Sequence, residues 1–557
     1  MCQIVFYLIL CVLMQNATAQ NYNETREKIT KLKNEHSVVF AVSTSAYQIE
    51  GAWNESGKTE SIWDRFVHTH PEKIMDESNG DISCDSYHNI DRDIKMLKYL
   101  GVKFYRFSIS WPRISPTPMR DAAVNDEGLN YYHSLIDKLI ENDITPVITL
   151  YHNDLPQNIQ DFGGWTNELI IEYFENYAQL VFKNFASKVK DWITFDLPEQ
   201  ICHKHYGTDD WPPEISSSGI ADYLCLRNLF LAHATVYRLY KSQFDTDNTG
   251  IMGINLLFNW YEPVTNSTED IESVERFRKL FYGIQADPIH SEYGDFPELL
   301  KSQIANKSKE QGFRNSRLPS FTIAEIEFIR NTYDFMGITY FTSYQLPQTS
   351  EQIYPVPSYE DDLGIREGVF DANWTKTSIS LLQNYPTGLK NVLLYIKNVY
   401  NNPKVVILGN GCGTAESTLE NLECVSYFKD HLDAVYYAVV NEGCNVIGYS
   451  AWTLMDSFEW EKGYTERFGL FETDFDSETR HTKPKATAHF FHAILSDEKN
   501  ETTINPSTTV SPHQPPSNVD PQMNGSASLR YLLGNLNNFV ILLVILFNLI
   551  LTQNLMI

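Results

Sequence analysis

Residues 104–195 alternate between short apolar runs and longer amphipathic stretches. The runs read FYRFS at Phe104–Ser108, PVITL at Pro146–Leu150 and WITF at Trp192–Phe195. Between them, residues 131–141 and 166–186 carry apolar side chains at steps of three and four, as a helix does when it covers one face of a sheet. This order predicts parallel strands joined by helical crossovers.

The same alternation extends over most of the chain. Five further runs of β-branched and aromatic residues occur, at Val38–Ser43, Ile251–Phe258, Phe335–Tyr340, Val405–Leu408 and Val446–Trp452. Eight such runs in one body predict an α/β fold, a single (β/α)8 TIM barrel. A barrel over residues 20–498 exceeds the minimal size, so we expect the surplus in long βα loops around its active face.

The composition limits the possible partners. The chain has 557 residues, and its 71 Asp and Glu outnumber its 44 Lys and Arg, which gives a formal net charge of −27. Phosphate binding depends on clustered Lys and Arg, so the sequence predicts no nucleic-acid partner. The acidity itself identifies no partner and indicates a solubilising surface.

The N-terminus has the features of a secretory signal. The apolar run Ile4–Met14 is followed by Ala17-Thr18-Ala19, which predicts a signal peptide over residues 1–19. Without the two cysteines of that segment, six remain for up to three disulfides in an oxidising compartment: Cys84, Cys202, Cys225, Cys412, Cys424 and Cys444. Cys412 with Cys424 or Cys444 is a plausible pair, but spacing leaves all connectivities open.

Acceptor sequons for N-glycosylation fit an extracellular protein. Each has Asn, a non-proline residue and then Ser or Thr. They stand at Asn23, Asn54, Asn266, Asn306, Asn373, Asn500 and Asn524.

The C-terminal residues change in composition. Residues 499–528 are rich in Ser, Thr, Pro and Asn, as expected of an extended stalk, and residues 529–557 contain the apolar run Phe539–Leu551. No basic cluster follows that run, which favours a glycosylphosphatidylinositol (GPI) attachment signal over a transmembrane helix. Its ω-site candidates are Asn524, Gly525 and Ser526. We therefore expect a lipid-anchored protein on the extracellular face of the plasma membrane.

Three motifs resemble those of one enzyme family. FAVSTSAYQIEG at 40–51, WITFDLP at 192–198 and VILGNG at 406–411 are similar to segments of glycoside hydrolase family 1, the retaining β-glucosidases, myrosinases and lactase-phlorizin hydrolases. The resemblance runs from about Val38 to Ala493. The family's acid/base motif is Thr-Phe-Asn-Glu-Pro and its nucleophile motif is Ile-Thr-Glu-Asn-Gly. Aligned with these, Leu197 stands at the acid/base position and Gly409 at the nucleophile position.

The resemblance also implies a set of sugar contacts. Aromatic stacking combined with a carboxylate against vicinal hydroxyls is effective sugar-binding chemistry. The implied contacts are Gln48, His152, Asp196, Trp452, Glu459 and Trp460. Arg106 and Tyr340 are implied as support for the active site, whereas Phe341 lacks the hydroxyl that the family places beside its nucleophile. We expect a β-glycoside or glycan ligand and no metal or cofactor.

Leu197 and Gly409 cannot carry out the retaining hydrolysis that the resemblance implies. Retaining glycosidases need two carboxyl groups about 5–5.5 Å apart. Leu197 can neither donate a proton nor bear charge, and Gly409 supplies no side chain and is expected to leave a cavity. No catalytic residue is intact, so the sequence predicts a sugar-binding pseudoenzyme.

Two alternatives remain open. One is an active β-glucosidase-like O-glycosyl hydrolase that uses substitute groups, with Asp196 and a water in an inverting geometry or Glu199 as a rebuilt acid. The other is a surface scaffold whose loops bind a protein partner. His203-Lys204-His205 is interpreted as a surface loop and not as a metal site.

Overall fold

The computed structural model describes residues 22–117, 124–347, 355–364 and 368–496. Eight parallel strands close into a barrel in chain order, which confirms the predicted TIM barrel. The strands are β1 Val39–Ser43, β2 Phe104–Ser108, β3 Thr145–Tyr151, β4 Asp191–Asp196, β5 Ile251–Leu257, β6 Phe335–Thr339, β7 Val405–Asn410 and β8 Val446–Trp452. The predicted signal peptide, the stalk, the C-terminal apolar segment, Asn500 and the ω-site candidates lie outside the described residues.

Helices cover the outside of the barrel, with buried positions at the helical spacing that the sequence showed. In Ile170–Phe185, for example, Ile170, Phe174, Tyr177 and Val181 are buried. The longer helices are α1 22–36, α2 Ile90–Leu100, α3 Asp126–Glu141, α4 Ile170–Phe185, α5 Ala221–Gln243, α6 Thr268–His290, α7 Glu298–Glu310, α8 Pro386–Val399, α9 Leu422–Val440 and α10 Ala486–Leu495. Shorter helices are Ala46–Ile49, Ile62–Thr69, Trp111–Ile114, Gln157–Gln160, Pro198–Cys202, Ile323–Ile329 and Tyr359–Leu363.

The βα loops hold further short elements. Strand pairs form between Trp260–Pro263 and Ser343–Leu346, between Thr375–Lys376 and Gln383–Asn384, and between Phe471–Thr473 and Thr482–Pro484. Single turns of 3₁₀ helix occur at Pro71–Lys73, Gly164–Thr166 and Trp460–Lys462, and a π-helical turn at His203–Gly207. No helix among the described residues is long and apolar enough to cross a membrane.

Apolar side chains fill the lower part of the barrel interior. Ile193, Phe335 and Leu408 form a buried cluster, against which Val147, Ile251, Val406 and Ile447 pack. Branched side chains from several strands commonly plug barrels of this kind. The polar residues of the interior lie above this plug, at the carboxyl ends of the strands.

Strand pairing is irregular at the carboxyl ends of β4 and β7. The register of β4 against β5 shifts between Ile193 and Asp196. That of β7 against β6 shifts between Ile407 and Gly409. An extra residue in one strand re-aims the side chains that follow it, and such bulges are common at barrel rims. After the first shift, Phe195 packs outward on Phe174, with ring centroids 4.6 Å apart.

Two disulfides form in the barrel unit. Cys202 pairs with Cys225 and Cys412 with Cys424, with Cα atoms 5.4 and 5.3 Å apart, and Cys84 and Cys444 are buried free thiols. The Cys412–Cys424 pair is one of the two considered from spacing. Contacts divide the chain into two units, Met1–Asp497 and Glu498–Ile557, and every described residue lies in the first.

Helix α1 packs against the last helices of the barrel. Its Ile29 and Leu32 are fully buried. Tyr22 meets Phe490 of α10 edge to face, with centroids 5.4 Å apart, and Lys28 forms an ion pair with Asp433 of α9 at 3.0 Å. The chain leaves α10 at Ser496, whose backbone is in contact with Gly101, just before β2 begins. This exit lies at the amino ends of the strands, opposite the barrel mouth.

Candidate functional site

Gln48 and Glu459 form one side of the barrel mouth. The Gln48 amide Nε2 donates to the carbonyl of Phe458 at 2.8 Å and to Glu459 Oε2 at 3.2 Å. Ser457 Oγ donates to Glu459 Oε1 at 2.9 Å. Burial, opposed by the Ser457 and Gln48 hydrogen bonds, raises the pKa of Glu459 to about 8. The carboxyl group is therefore largely protonated at neutral pH and can donate as well as accept a hydrogen bond.

His152 lies between two tryptophans. Its ring is stacked near Trp452, with centroids 5.8 Å apart, and near Trp460, with centroids 5.9 Å apart. Burial, with a smaller contribution from the charge of Arg106, lowers the pKa of His152 to about 4 although Asp196 opposes the shift. The imidazole is thus neutral at neutral pH. Its Nε2 lies 3.3 Å from Asp196 Oδ2, and among the described residues its buried Nδ1 has no partner.

Asp196 is held from three directions. Its Oδ1 accepts a hydrogen bond from Asn255 Nδ2 at 2.6 Å and pairs with the Arg106 guanidinium, while Oδ2 faces His152. Burial alone would raise the pKa of Asp196, but the charge of Arg106, with His152 and Asn255, lowers it. Asp196 is therefore an ionised carboxylate whose two oxygens both have protein partners.

Arg106 is also bonded to two other strands. Its Nε donates to Thr149 Oγ1 on β3 at 2.9 Å, and its Nη1 donates to the carbonyl of Leu408 on β7 at 3.1 Å. Ser43 Oγ of β1 donates to the same carbonyl at 3.1 Å. The guanidinium is thus fixed at the centre of the barrel, between β4 and β7.

Thr339 fills the space beside Gly409. A Cβ atom built on Gly409 would stand 2.7 Å from Thr339 Oγ1 and 3.1 Å from its Cγ2. The hydroxyl accepts a hydrogen bond from Asn255 Nδ2 at 2.9 Å, which holds the side chain in this position. Thr339, from the neighbouring strand, therefore narrows the space in which the sequence predicted a cavity at Gly409.

Comparison with known proteins gives the family of this barrel and mouth. Residues 32–500 match the model of Glycosyl hydrolase family 1. The chain belongs to glycoside hydrolase family 1. It is 39% identical to Myrosinase 1 of Brevicoryne brassicae over 83% of this chain and 98% of that protein, and 36% identical to the human Lactase-like protein over 82% and 80%.

A solved family 1 structure has the same fold. The β-glucosidase of the fungus Humicola insolens, solved in complex with glucose, superimposes with a TM-score of 0.77 at 33% identity, over 83% of this chain and 98% of that one. The family that the motifs indicated is thereby confirmed.

In this family 1 chain, Leu197 and Glu199 lie just beyond β4. Leu197 is partly exposed, and its φ of 52° is in the left-handed region that a leucine rarely adopts. Its backbone N–H donates to the carbonyl of Asn255 at 2.9 Å. Glu199 is buried, which raises its pKa, and its charge is coupled to His203. The charge of His203 opposes this rise.

Tyr340 does not join the polar network of the barrel mouth. Its hydroxyl bonds Ser343 Oγ at 2.9 Å and donates to the carbonyl of Tyr385 at 2.8 Å. Thr339 faces the interior, and because consecutive side chains of a strand alternate, Tyr340 faces outward. The structure thus brings together Gln48, His152, Asp196, Trp452, Glu459, Trp460 and Arg106, but not Tyr340.

Three residues of this network were missed in the sequence. Asn255, Thr149 and Thr339 all point into the barrel and bond Arg106, Asp196 or one another. The available signal was a polar residue within an otherwise apolar strand run, as in IMGINLLF for Asn255. Buried polar side chains need partners, so such positions predict an internal network.

Proposed function

We propose that this family 1 protein binds a β-glycoside or glycan at its barrel mouth and does not hydrolyse it by the retaining mechanism. The observation that carries the proposal is the contrast within one site. Gln48, His152, Trp452, Glu459 and Trp460 cluster at the barrel mouth, whereas position 409 has no side chain and Thr339 packs against it.

The retained cluster has the chemistry that a sugar requires. Trp452 and Trp460 offer aromatic faces, and the carboxyl group of Glu459 beside the amide of Gln48 offers donors and acceptors for neighbouring hydroxyls. The buried Nδ1 of His152 is a further acceptor that has no partner among the described residues. Because the Humicola insolens relative was solved with glucose, glucose is the first ligand to test.

The hydrolase alternative receives little support from Asp196. A general acid must be protonated at the working pH, but the pKa of Asp196 is lowered, chiefly by Arg106 against the effect of burial. As a base for an inverting reaction it would have to take a proton from water, and its pairing with Arg106 lowers its pKa and so its basicity. A protein-binding scaffold without a sugar ligand is the alternative that would remain if no sugar bound.

We further propose that the protein is lipid-anchored at the extracellular face of the plasma membrane. Support comes from the signal-like and anchor-like sequences, from two disulfides and from the sequons. The five sequon asparagines among the described residues are all exposed: Asn23, Asn54, Asn266, Asn306 and Asn373.

Hydrolysis and binding assays on a soluble form, Gln20 to Glu498, test the binding proposal. Aryl β-glucoside, β-galactoside and β-fucoside should be hydrolysed at the background rate, since loss of a nucleophile costs on the order of 10⁶-fold. Azide and formate should not restore turnover, because Thr339 narrows the space beside Gly409. Glucose or gluconolactone should raise the melting temperature.

A matched pair of variants locates the binding. Trp452→Ala should abolish the glucose-dependent shift. Trp374→Ala, which removes a half-buried tryptophan stacked on Tyr385 at 4.2 Å outside the cluster, should retain it. Rapid turnover without added anion would refute the pseudoenzyme, and a protein that no sugar stabilises would refute sugar binding.

A further inference from the structure

Below the barrel mouth, Arg106 and Asp196 form a buried ion pair. We infer that Asp196 has replaced the residue at position 409 as the anionic partner of Arg106, and that the contact of Thr339 with Gly409 disfavours a larger side chain at 409. The inference rests on the proposed function in one respect, the interpretation of Gly409 as the former nucleophile position. It explains how the barrel remains stable without a carboxylate on β7.

The first step concerns the charge of Arg106. This side chain is 1% exposed, and a buried guanidinium without a counter-charge is strongly destabilising. Its Nη1 bonds the carbonyl of Leu408, the residue before Gly409, so a carboxylate at 409 would lie beside the guanidinium. With glycine there, the ion pair with Asp196 of β4 is the salt bridge of Arg106 among the described residues.

The second step concerns the geometry of Asp196. The shift of register between Ile193 and Asp196 turns this side chain into the barrel. The resemblance places an asparagine here in the family, which has nearly the same shape but no charge. The change from an amide to a carboxylate therefore introduces the missing negative charge without a change of volume.

The third step concerns the connection between charge and volume. Asn255 Nδ2 donates to Asp196 Oδ1 at 2.6 Å and to Thr339 Oγ1 at 2.9 Å, so one amide holds both side chains. Asp196, Asn255 and Thr339 then form a continuous network from β4 across β5 to β6. A glutamate returned to position 409 would collide with Thr339 and bring a second carboxylate to Arg106.

The inference predicts that one substitution has opposite effects in two backgrounds. In the otherwise natural full-length chain, Gly409→Glu should lower the melting temperature. In an Asp196→Asn/Thr339→Ala background, which lacks both the carboxylate and the contacting threonine atoms, Gly409→Glu should raise the melting temperature by about 2 °C or more. Gly409→Gln, made in both backgrounds, separates charge from volume: Glu should be less stable than Gln in the natural chain and more stable in the double variant.

Each outcome of the melting experiment decides the inference. The inference would be overturned if Gly409→Glu melted at a lower temperature than Gly409→Gln in both backgrounds. It would also be overturned if Gly409→Glu did not lower the melting temperature of the natural chain. If the double variant does not fold, the comparison of Glu and Gln at 409 in Asp196→Asn alone decides in the same way. The melting experiment uses no sugar, so a failure here leaves the sugar-binding proposal standing, and the glucose test can fail independently.

Discussion

At the scale of single residues, the distinctive feature of this barrel is the contact between Gly409 and Thr339. A Cβ atom added at position 409 would stand 2.7 Å from the threonine hydroxyl, which is shorter than van der Waals contact. Protein interiors are close-packed, and an added methylene forces neighbours off their preferred rotamers. The contact with Thr339 is therefore sufficient to explain why glycine stands at position 409.

We expect Gly409→Ala to lower the free energy of unfolding by about 1–3 kcal/mol, the usual cost of overpacking. Removing the contacting atoms with Thr339→Ala should make the same glycine-to-alanine change nearly neutral. Denaturant unfolding of the four members of this double-mutant cycle measures the difference. If Gly409→Ala lowered the free energy of unfolding equally in both backgrounds, contact with Thr339 would not be the cause.

The sequence predicted which residues come together at the barrel mouth, but it did not predict the neighbours of Gly409. Gln48, His152, Trp452, Glu459 and Trp460 could be found because each stands within a recognisable motif. The position of Thr339 could not, because it depends on the register between β6 and β7, and that register shifts between Ile407 and Gly409. A bulge interrupts the regular alternation of inward and outward side chains, so the direction of the residues after it cannot be predicted from that alternation.

At the scale of secondary-structure elements, the eight strands were predicted to within two residues at each end. Strands buried on both faces are continuous apolar runs, so their limits are visible in the sequence. His203-Lys204-His205 was expected to be a surface loop, and that prediction is wrong: His205 is buried and residues His203–Gly207 form a π-helical turn. The disulfide from Cys202 to α5 holds this turn against the barrel.

His203 connects this turn to two other elements through ion pairs. Its Nδ1 lies 2.9 Å from Asp222 of α5, and its Nε2 lies 3.1 Å from Glu360 of the short helix Tyr359–Leu363. Burial alone would lower the pKa of His203, but the hydrogen bonds with Asp222 and Glu360 raise it to about 10. The imidazole is therefore charged in the folded protein over the physiological pH range.

We expect His203→Gln to destabilise the protein in a pH-dependent way. The folded pKa is above the unfolded value of about 6.5, so the stabilisation is complete below pH 6.5 and is lost as the pH rises towards 10. The melting temperature should drop most at pH 6, by the equivalent of about 1–3 kcal/mol, and by much less near pH 10. His68→Gln, at a partly exposed ion pair with Asp81, is the control. A pH-independent loss for His203→Gln would exclude the ionic explanation.

At the scale of the whole molecule, α1 joins the beginning of the described chain to its end. The family match begins at residue 32, so most of this helix precedes it. Ile29 and Leu32 are buried against the barrel unit, and Arg26 donates to the carbonyl of Ser496 at 3.0 Å. Helix α1 thus covers the last two helices as an added outer layer.

Shortening the buried side chains of α1 should therefore destabilise the entire barrel unit. Ile29→Ala and Leu32→Ala should each lower the free energy of unfolding by about 2–5 kcal/mol, because both leave a cavity in a packed interior. Glu35→Ala, at an exposed position of the same helix, should have an effect below about 0.5 kcal/mol. If the two buried positions behaved like Glu35, the helix would contribute nothing to folding, and calorimetry would show this directly.

The departure of the chain at Ser496, beside Gly101, determines from which side the protein can be held. A bead or a sensor surface coupled directly at Ser496 would be joined to the end of the barrel opposite its mouth. A pull on that attachment loads α10 and its contacts with α1 before it reaches any strand. Immobilisation at Ser496 therefore leaves the open end of the barrel facing away from the support.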